Sequence, residues 1–155
     1  LYRPPKLAWL QPLMEEGRGG GDLHLAQADL SGVRILLRAL KRREAIGMLP
    51  DQVPGEGEGA WADFFGRPAF TMTLAARLTE AGKVAVILTY AERLPKGAGF
   101  HVHFLPPQTE IEGALAQRVA TLNRAIEALV RRCPEQYLWG YNRYKAPRGA
   151  EPPPC

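Results

Sequence analysis

Apolar residues along this chain switch repeatedly between helical and strand spacing, and this alternation constrains the fold most. Helical spacing is found over residues 7–14, 30–40, 70–81, 112–132 and 134–139. Strand patterns cover residues 45–49, 83–90 and 100–105. The order, α-β-loop-α-β-β-α-α, predicts an α/β fold in which helices flank a mixed sheet.

Local signals predict where several of these elements begin and end. Asp29 or Ser31 can cap the helix that starts near residue 30, because their side-chain oxygens can accept a bond from a free backbone N–H. Pro12 is expected to interrupt the first helix, and Gly82 to end the helix over 70–81. Residues 94–99 are predicted to form a turn between two strands.

Length and charge limit the classes of protein to which this chain can belong. The 155 residues suit a single domain, predicted over 1–145, with a disordered Pro-rich tail over 146–155. A net charge of +4 and a pI near 9.3 favour acidic partners, whether phosphates, an anionic membrane or nucleic acid. Two cysteines predict neither a disulfide framework nor a zinc site. No stretch of about 20 apolar residues is present.

Residues 50–66 have the pattern of a ligand-binding loop. Asp51 follows the predicted strand over 45–49, and open α/β sheets bind ligands at the carboxyl ends of their strands. A Gly/Pro-rich stretch leads to the aromatic residues Trp61, Phe64 and Phe65. This arrangement predicts a polar site beside an apolar wall, suited to a substrate with a charged head and an apolar tail.

The histidines are candidates for catalysis or metal binding. His24 and Asp29 have a His-x-x-x-x-Asp spacing, but so short a pattern arises often by chance and Asp29 has a competing role as a cap. His101 and His103 point to one face of a predicted strand and could bind a metal or transfer protons. Because no third ligand stands at a recognisable spacing, exposed strand histidines are favoured and no metal site is predicted.

Cations and aromatic residues leave the class of binding partner open. Arg3 and Arg18 are candidate anion contacts, and Arg18 is predicted to lie in a loop beside glycines. Residues 134–145 place four aromatic rings among polar side chains. Such rings can stack on bases, lie at a membrane interface or cover the core, and the last is the interpretation that chemistry alone favours.

Together these segments resemble the lipid A biosynthesis acyltransferases, the lauroyl and myristoyl transferases of Gram-negative bacteria. The matching segments follow the family's order over nearly the whole chain. They are Tyr2-Arg3-Pro4, Arg18, Ala28-Asp29-Leu30-Ser31-Gly32-Val33-Arg34, Leu49-Pro50-Asp51-Gln52, Phe64-Phe65-Gly66-Arg67-Pro68-Ala69, Arg93-Leu94-Pro95, Pro134-Glu135-Gln136-Tyr137-Leu138-Trp139 and Asn142-Arg143-Tyr144-Lys145.

The resemblance implies a glycerolipid-acyltransferase-like α/β fold, of which this chain is the C-terminal part. The family's catalytic His-x-x-x-x-Asp/Glu motif lies upstream of its Tyr-Arg-Pro segment. We therefore expect that motif and an N-terminal membrane anchor to precede Leu1. On this interpretation the general base is not in the chain, the His24–Asp29 spacing is a coincidence, and the chain alone is inactive.

The resemblance also implies substrates and residue roles. The donor would be acyl carrier protein and the acceptor a hydroxyl of the lipid A precursor, at the cytoplasmic face of the bacterial inner membrane, with no cofactor and no nucleic acid. Asp51 and Arg18 would support catalysis. The substrate-binding residues would be Arg3, Arg18, Trp61, Phe64, Phe65 and Phe70, the four aromatics lining an acyl-chain groove. The alternative is a non-catalytic, basic lipid- or nucleic-acid-binding module.

Overall fold

The computed structural model describes residues 2, 5, 7–18, 21–55, 57–82 and 84–153, with the backbone alone for Arg18. The chain divides into two compact units, Leu1–Leu49 and Pro50–Cys155.

Within the described residues of the first unit are two α-helices, α1 (Gln11–Arg18) and α2 (Leu30–Lys41). The helix predicted over 7–14 is not continuous, because Ala8–Leu10 form a 3₁₀ turn and α1 begins at Gln11. Pro12 lies in the first turn of α1, where a backbone N–H would have no helical partner. The carboxylate of Asp29 accepts a 2.9 Å bond from the backbone N–H of Gly32, which confirms Asp29 as the cap of α2.

The strand predicted over residues 45–49 is wrong. The structure describes all five residues, and none of them belongs to a strand. Leu49 is 68% exposed, so the segment is not buried either. A short apolar run does not specify a strand by itself, because strand formation depends on pairing and packing partners more than on composition.

The second unit begins with a hairpin of β1 (Gly59–Phe64) and β2 (Arg67–Met72). Phe65 and Gly66 connect the strands with φ angles of 50° and 73°, the left-handed backbone that a tight two-residue hairpin turn requires. Phe70 therefore pairs with Trp61 inside β2, and the helix predicted over 70–81 is wrong at its start.

A short helix, α3 (Leu74–Leu78), follows β2 directly, and Thr79 is its C-cap. Gly82 is not its cap, although its φ of 123° is one that favours glycine. Helical spacing over 70–81 was misleading because the hairpin turn before it directs the first residues into a ladder with β1.

A second hairpin contains β3 (Leu88–Arg93) and β4 (Phe100–Leu105). The prediction of β4 is confirmed, and so is the turn over 94–99, which a bond from Leu94 N–H to the Gly99 carbonyl closes at 2.9 Å. Both sheets of the described chain are antiparallel pairs. The fold is α/β as predicted, but the mixed sheet is wrong, because each hairpin pairs only with itself.

The longest helix, α4 (Leu115–Val130), confirms the main part of the helix predicted over 112–132 and lies against β1 and α3. Phe64, Ala69, Ile126 and Val130 form a buried apolar cluster between this helix and the first hairpin. The helix predicted over 134–139 is only a 3₁₀ turn, Pro134–Gln136. No helix in the described ranges is both long and apolar enough to span a bilayer.

Candidate functional site

The second unit contains a cavity of about 300 Å³ with aromatic walls. It forms where the irregular segment after α4 passes over the ring of Phe64 at the end of β1. The hydroxyl of Tyr144 donates to the carbonyl oxygen of Phe64 at 2.9 Å and holds the segment there. The lining residues are Phe64, Tyr137, Trp139, Gly140, Tyr141, Asn142, Arg143 and Tyr144.

Arg143 contributes a buried cation to this cavity. Only 3% of the residue is exposed, and its guanidinium donates to the carbonyl oxygen of Phe70 at 3.0 Å and to the hydroxyl of Thr71 at 2.8 Å. Its Nε has no hydrogen-bond partner among the described residues. Burial lowers the pKa of Arg143, while nearby Tyr137 and Asp51 raise it; the residue stays a cation at neutral pH.

A buried amide holds this guanidinium in position. Asn123 of α4 is fully buried, and its Nδ2 donates to the carbonyl oxygen of Asp63 at 2.9 Å and to the Thr71 hydroxyl at 3.1 Å. Its Oδ1 accepts a longer bond, 3.4 Å, from Arg143. These bonds join α4, β1, β2 and the C-terminal segment at one polar point inside the core.

Asp51 lies beside the same cavity. Burial first, and then the charge and hydrogen bond of Asp51, raise the pKa of Tyr137 to about 12. The loop that contains Asp51 is anchored two residues later, where the backbone N–H of Val53 donates to the Tyr141 hydroxyl at 2.8 Å. The structure therefore brings Asp51 together with Tyr137 and Arg143, and its supporting role in catalysis stays a prediction.

The four predicted groove aromatics separate into two pairs. Phe64, 1% exposed, packs edge-on against Phe65 at 4.8 Å and lines the cavity. Phe70, 6% exposed, instead packs edge-on against Trp61 at 5.4 Å. The indole N–H of Trp61 also donates to the carbonyl oxygen of Glu151 at 2.7 Å. Of the four, Phe64 alone is among the cavity-lining residues.

Glu127 of α4 positions the turn that carries Phe65. Its carboxylate accepts a 2.8 Å bond from the backbone N–H of Phe65 and a 3.1 Å ion pair from Arg131. The Arg131 guanidinium lies 4.8 Å from the centre of the Phe65 ring. Trp139 packs on the same ring at 5.9 Å, so the turn is connected to the cavity wall.

The predicted arginine contacts belong to the first unit. Arg3 lies outside the described residues. Arg18 is the last residue of α1, so its prediction as a loop residue is wrong, and its side chain is outside the described part of the chain.

The two residues of the His24–Asp29 spacing differ in their contacts. The Asp29 carboxylate accepts from the Ser31 hydroxyl at 2.7 Å and from the Gly32 N–H at 2.9 Å, and these bonds, the one from Ser31 first, lower the pKa of Asp29. His24 is exposed.

Sequence reasoning did not select Asn123, Glu127, Tyr137 or Arg143 as site residues. The sequence did contain a signal for Asn123 and Glu127. They lie four residues apart among the buried positions of α4, and two polar side chains in an apolar stripe require hydrogen-bond partners. Arg143 was visible as one cation among aromatics and as part of a family-matching segment, but its burial depends on contacts with β2, which the sequence does not reveal.

An aromatic cavity that contains a buried cation and an adjacent carboxylate suits an amphipathic ligand. The family model described as Bacterial lipid A biosynthesis acyltransferase matches residues 2–146 of this chain. The chain therefore belongs to that family, whose members are acyltransferases, as the resemblance predicted.

Curated relatives agree with this assignment. The "Lipid A biosynthesis lauroyltransferase" of Escherichia coli is 29% identical over 151 residues, which cover 94% of this chain and 47% of the relative. The "Lipid A biosynthesis palmitoleoyltransferase" of the same species is 28% identical, covering 93% and 47%. The "Lipid A biosynthesis acyltransferase" of Haemophilus influenzae is 27% identical, covering 89% and 42%. The chain thus spans about half the length of these relatives.

Proposed function

We propose that this chain is part of an enzyme that transfers a fatty acyl chain from acyl carrier protein to a hydroxyl of the lipid A precursor. We place the reaction at the cytoplasmic face of the bacterial inner membrane, and the fold of the whole domain is proposed to be glycerolipid-acyltransferase-like. The family match over residues 2–146 supports the reaction class. The observation that carries the proposal is the aromatic cavity with buried Arg143 beside Asp51.

The chemistry requires a base that this chain is not proposed to supply. A general base removes the proton of the acceptor hydroxyl, the oxygen attacks the thioester carbonyl, and the thiol of the carrier leaves. The base is proposed to be the histidine of the family's His-x-x-x-x-Asp/Glu motif, which the resemblance places ahead of Tyr2. His24 is a poor substitute, because the Asp29 carboxylate already accepts two bonds at the start of α2.

The cavity is proposed to receive an apolar part of the substrate. Rings of Phe64 and Trp139 offer an apolar wall, and burial of methylene groups against such a wall gives about 0.8 kcal/mol each. Arg143 supplies a positive potential without needing to move, since the protein holds its guanidinium. Asp51 orders Tyr137 at the rim. Arg3 and Arg18 of the first unit are proposed separately as phosphate contacts.

Binding and turnover of the purified chain test this proposal. Trp139 lines the cavity and is 58% exposed, so its fluorescence should change saturably as the lipid A precursor is added in detergent micelles. Trp139→Phe should abolish the change, whereas Trp9→Phe, which replaces an exposed indole of the first unit, should preserve it. With acyl carrier protein carrying laurate as donor, the chain alone should transfer no acyl group.

Several results would contradict the proposal. A fluorescence change that persists in Trp139→Phe would remove the cavity from the substrate site. Acylation by the chain alone would overturn the assignment of the base and return His24 to consideration. Salt-dependent binding of single-stranded nucleic acid, without binding of the lipid, would favour the alternative module.

A further inference from the structure

One face of the second hairpin brings together three metal-ligating side chains. Glu92 of β3 is the cross-strand partner of His101 of β4, and His103 lies two residues further on the same face. One ligand atom from each side chain lies within 4.8 Å of the others. The third ligand, which sequence spacing did not reveal, thus comes from the neighbouring strand.

We propose that Glu92, His101 and His103 bind a Zn²⁺ ion. Two imidazoles and a carboxylate are a set that Zn²⁺ accepts in sites that keep a fourth position for water. Hard ions such as Mg²⁺ and Ca²⁺ prefer oxygen ligands alone, so imidazole disfavours them. Ligand bonds of about 2.0–2.2 Å place tetrahedral ligand atoms about 3.4 Å apart. We expect rotations about side-chain bonds, mainly those of Glu92 and His101, to close the set from 4.8 Å.

The contacts around Glu92, His101 and His103 favour an arrangement in which all three bind one ion. Tyr90 stacks on the His103 ring, with centroids 4.5 Å apart and planes within 6°, which limits how that ring can turn. His103 Nε2 lies 2.9 Å from the Glu92 carboxylate, and the His101 ring is 4.4 Å from the His103 ring. Glu92 and His103 are partly buried, and His101 is exposed, so an ion can enter from solvent at the His101 side.

The ion would join β3 to β4 across their hydrogen-bonded ladder. A two-stranded hairpin is marginally stable by itself, and this one exposes Phe100, Val102 and Phe104 on its opposite face. An ion that binds the folded hairpin and not the unfolded one stabilises it by mass action. The site shares no residue with the lining of the aromatic cavity and does not depend on acyl transfer.

Zn²⁺ titration of the purified chain, by calorimetry and by competition with a chelating dye, tests the site. We expect one ion per chain and a higher melting temperature with Zn²⁺. His101→Ala and Glu92→Gln each remove a ligand of the ion. Loss of a residue that only supports a ligand already weakens metal binding roughly 10–100-fold, so these two variants should weaken Zn²⁺ binding by at least that factor. His101→Ala is the primary variant, since it leaves the Tyr90–His103 stack in place.

The third histidine provides a matched control. His24→Ala, in the first unit, should leave affinity, stoichiometry and the Zn²⁺-dependent melting temperature unchanged. We expect the absorption spectrum of the Co²⁺-substituted protein to show no thiolate charge-transfer band. That result would exclude Cys133 and Cys155 as ligands. The proposal is wrong if His101→Ala binds as tightly as the parent, if His24→Ala loses the ion, if alkylation of the thiols abolishes binding, or if no saturable binding is reached at millimolar Zn²⁺.

Discussion

The guanidinium of Arg143 donates a 3.0 Å hydrogen bond to the backbone carbonyl of Phe70, 73 residues earlier in the chain. The bond holds the C-terminal segment against β2, and a second bond to Thr71 repeats the connection one residue later. The cavity wall is therefore held in place from inside the core.

Replacement of Arg143 by methionine should lower the free energy of unfolding by about 2–3 kcal/mol. The change removes the charged donor from the Phe70 carbonyl and from the Thr71 hydroxyl, which keeps only the longer bond from Asn123, and bonds to a charged group carry that magnitude. Urea denaturation followed by circular dichroism measures it. Arg67→Met is the control: Arg67 is exposed and lies 4.3 Å over the Tyr144 ring, a contact worth about 0.5–1 kcal/mol. Equal losses in the two variants would contradict the prediction.

Stability should fall as pH rises from about 10 to about 12. The folded state raises the pKa of Tyr137 from its ordinary 10 to about 12, mainly through burial and then through Asp51. Above pH 10 the unfolded chain loses this proton first, so the stabilisation present at lower pH is lost as pH passes through the folded pKa.

Ultraviolet titration of tyrosinate, compared with Tyr137→Phe, should reveal the late transition. Asp51→Asn should lower the pKa of Tyr137 only in part, because burial is the larger cause. A Tyr137 transition near 10 in the parent protein would show that the hydroxyl is neither buried nor bonded as described.

Glu127→Ala should destabilise the chain by about 1–3 kcal/mol, because the backbone N–H of Phe65 would lose its acceptor. Glu127→Gln retains an oxygen for that N–H and loses only the ion pair to exposed Arg131, so its effect should be much smaller. Chemical denaturation of the two variants gives the comparison. If glutamine costs as much as alanine, the charge and not the bond to Phe65 stabilises the turn.

Gly32→Ala should disrupt the start of α2. A Cβ at this position would overlap the backbone carbonyl of Gln27, so the chain before the helix would have to move. Gly17→Ala, in α1, meets nothing nearby and should stabilise its helix by about 0.5–1 kcal/mol. Helix content measured by circular dichroism should thus fall in the first variant and not in the second, and a loss in neither would contradict the close contact.

Elements with a strong local pattern were predictable. The alternation over β4 and the long apolar stripe of α4 both depend on residues close in sequence, and so does the cap at Asp29. The prediction for the segment after β1 failed because helical spacing near Phe70 competes with a hairpin turn. The strand pairing of β1 with β2 prevails. Residues 45–49 failed because their apolar composition carries no information about a strand partner.

The matching segments were enough to indicate the family, and periods of two or about four residues were enough to predict the α/β class and several short-range elements. The burial of Arg143 against Phe70, the position of Asp51 beside Tyr137 and the grouping of Glu92 with the two histidines became visible in the folded chain alone. These contacts join groups 9 to 86 positions apart, in the register of paired strands and in bonds across the core. No local period encodes such distances, so folding has to bring the groups together before their chemistry can be recognised.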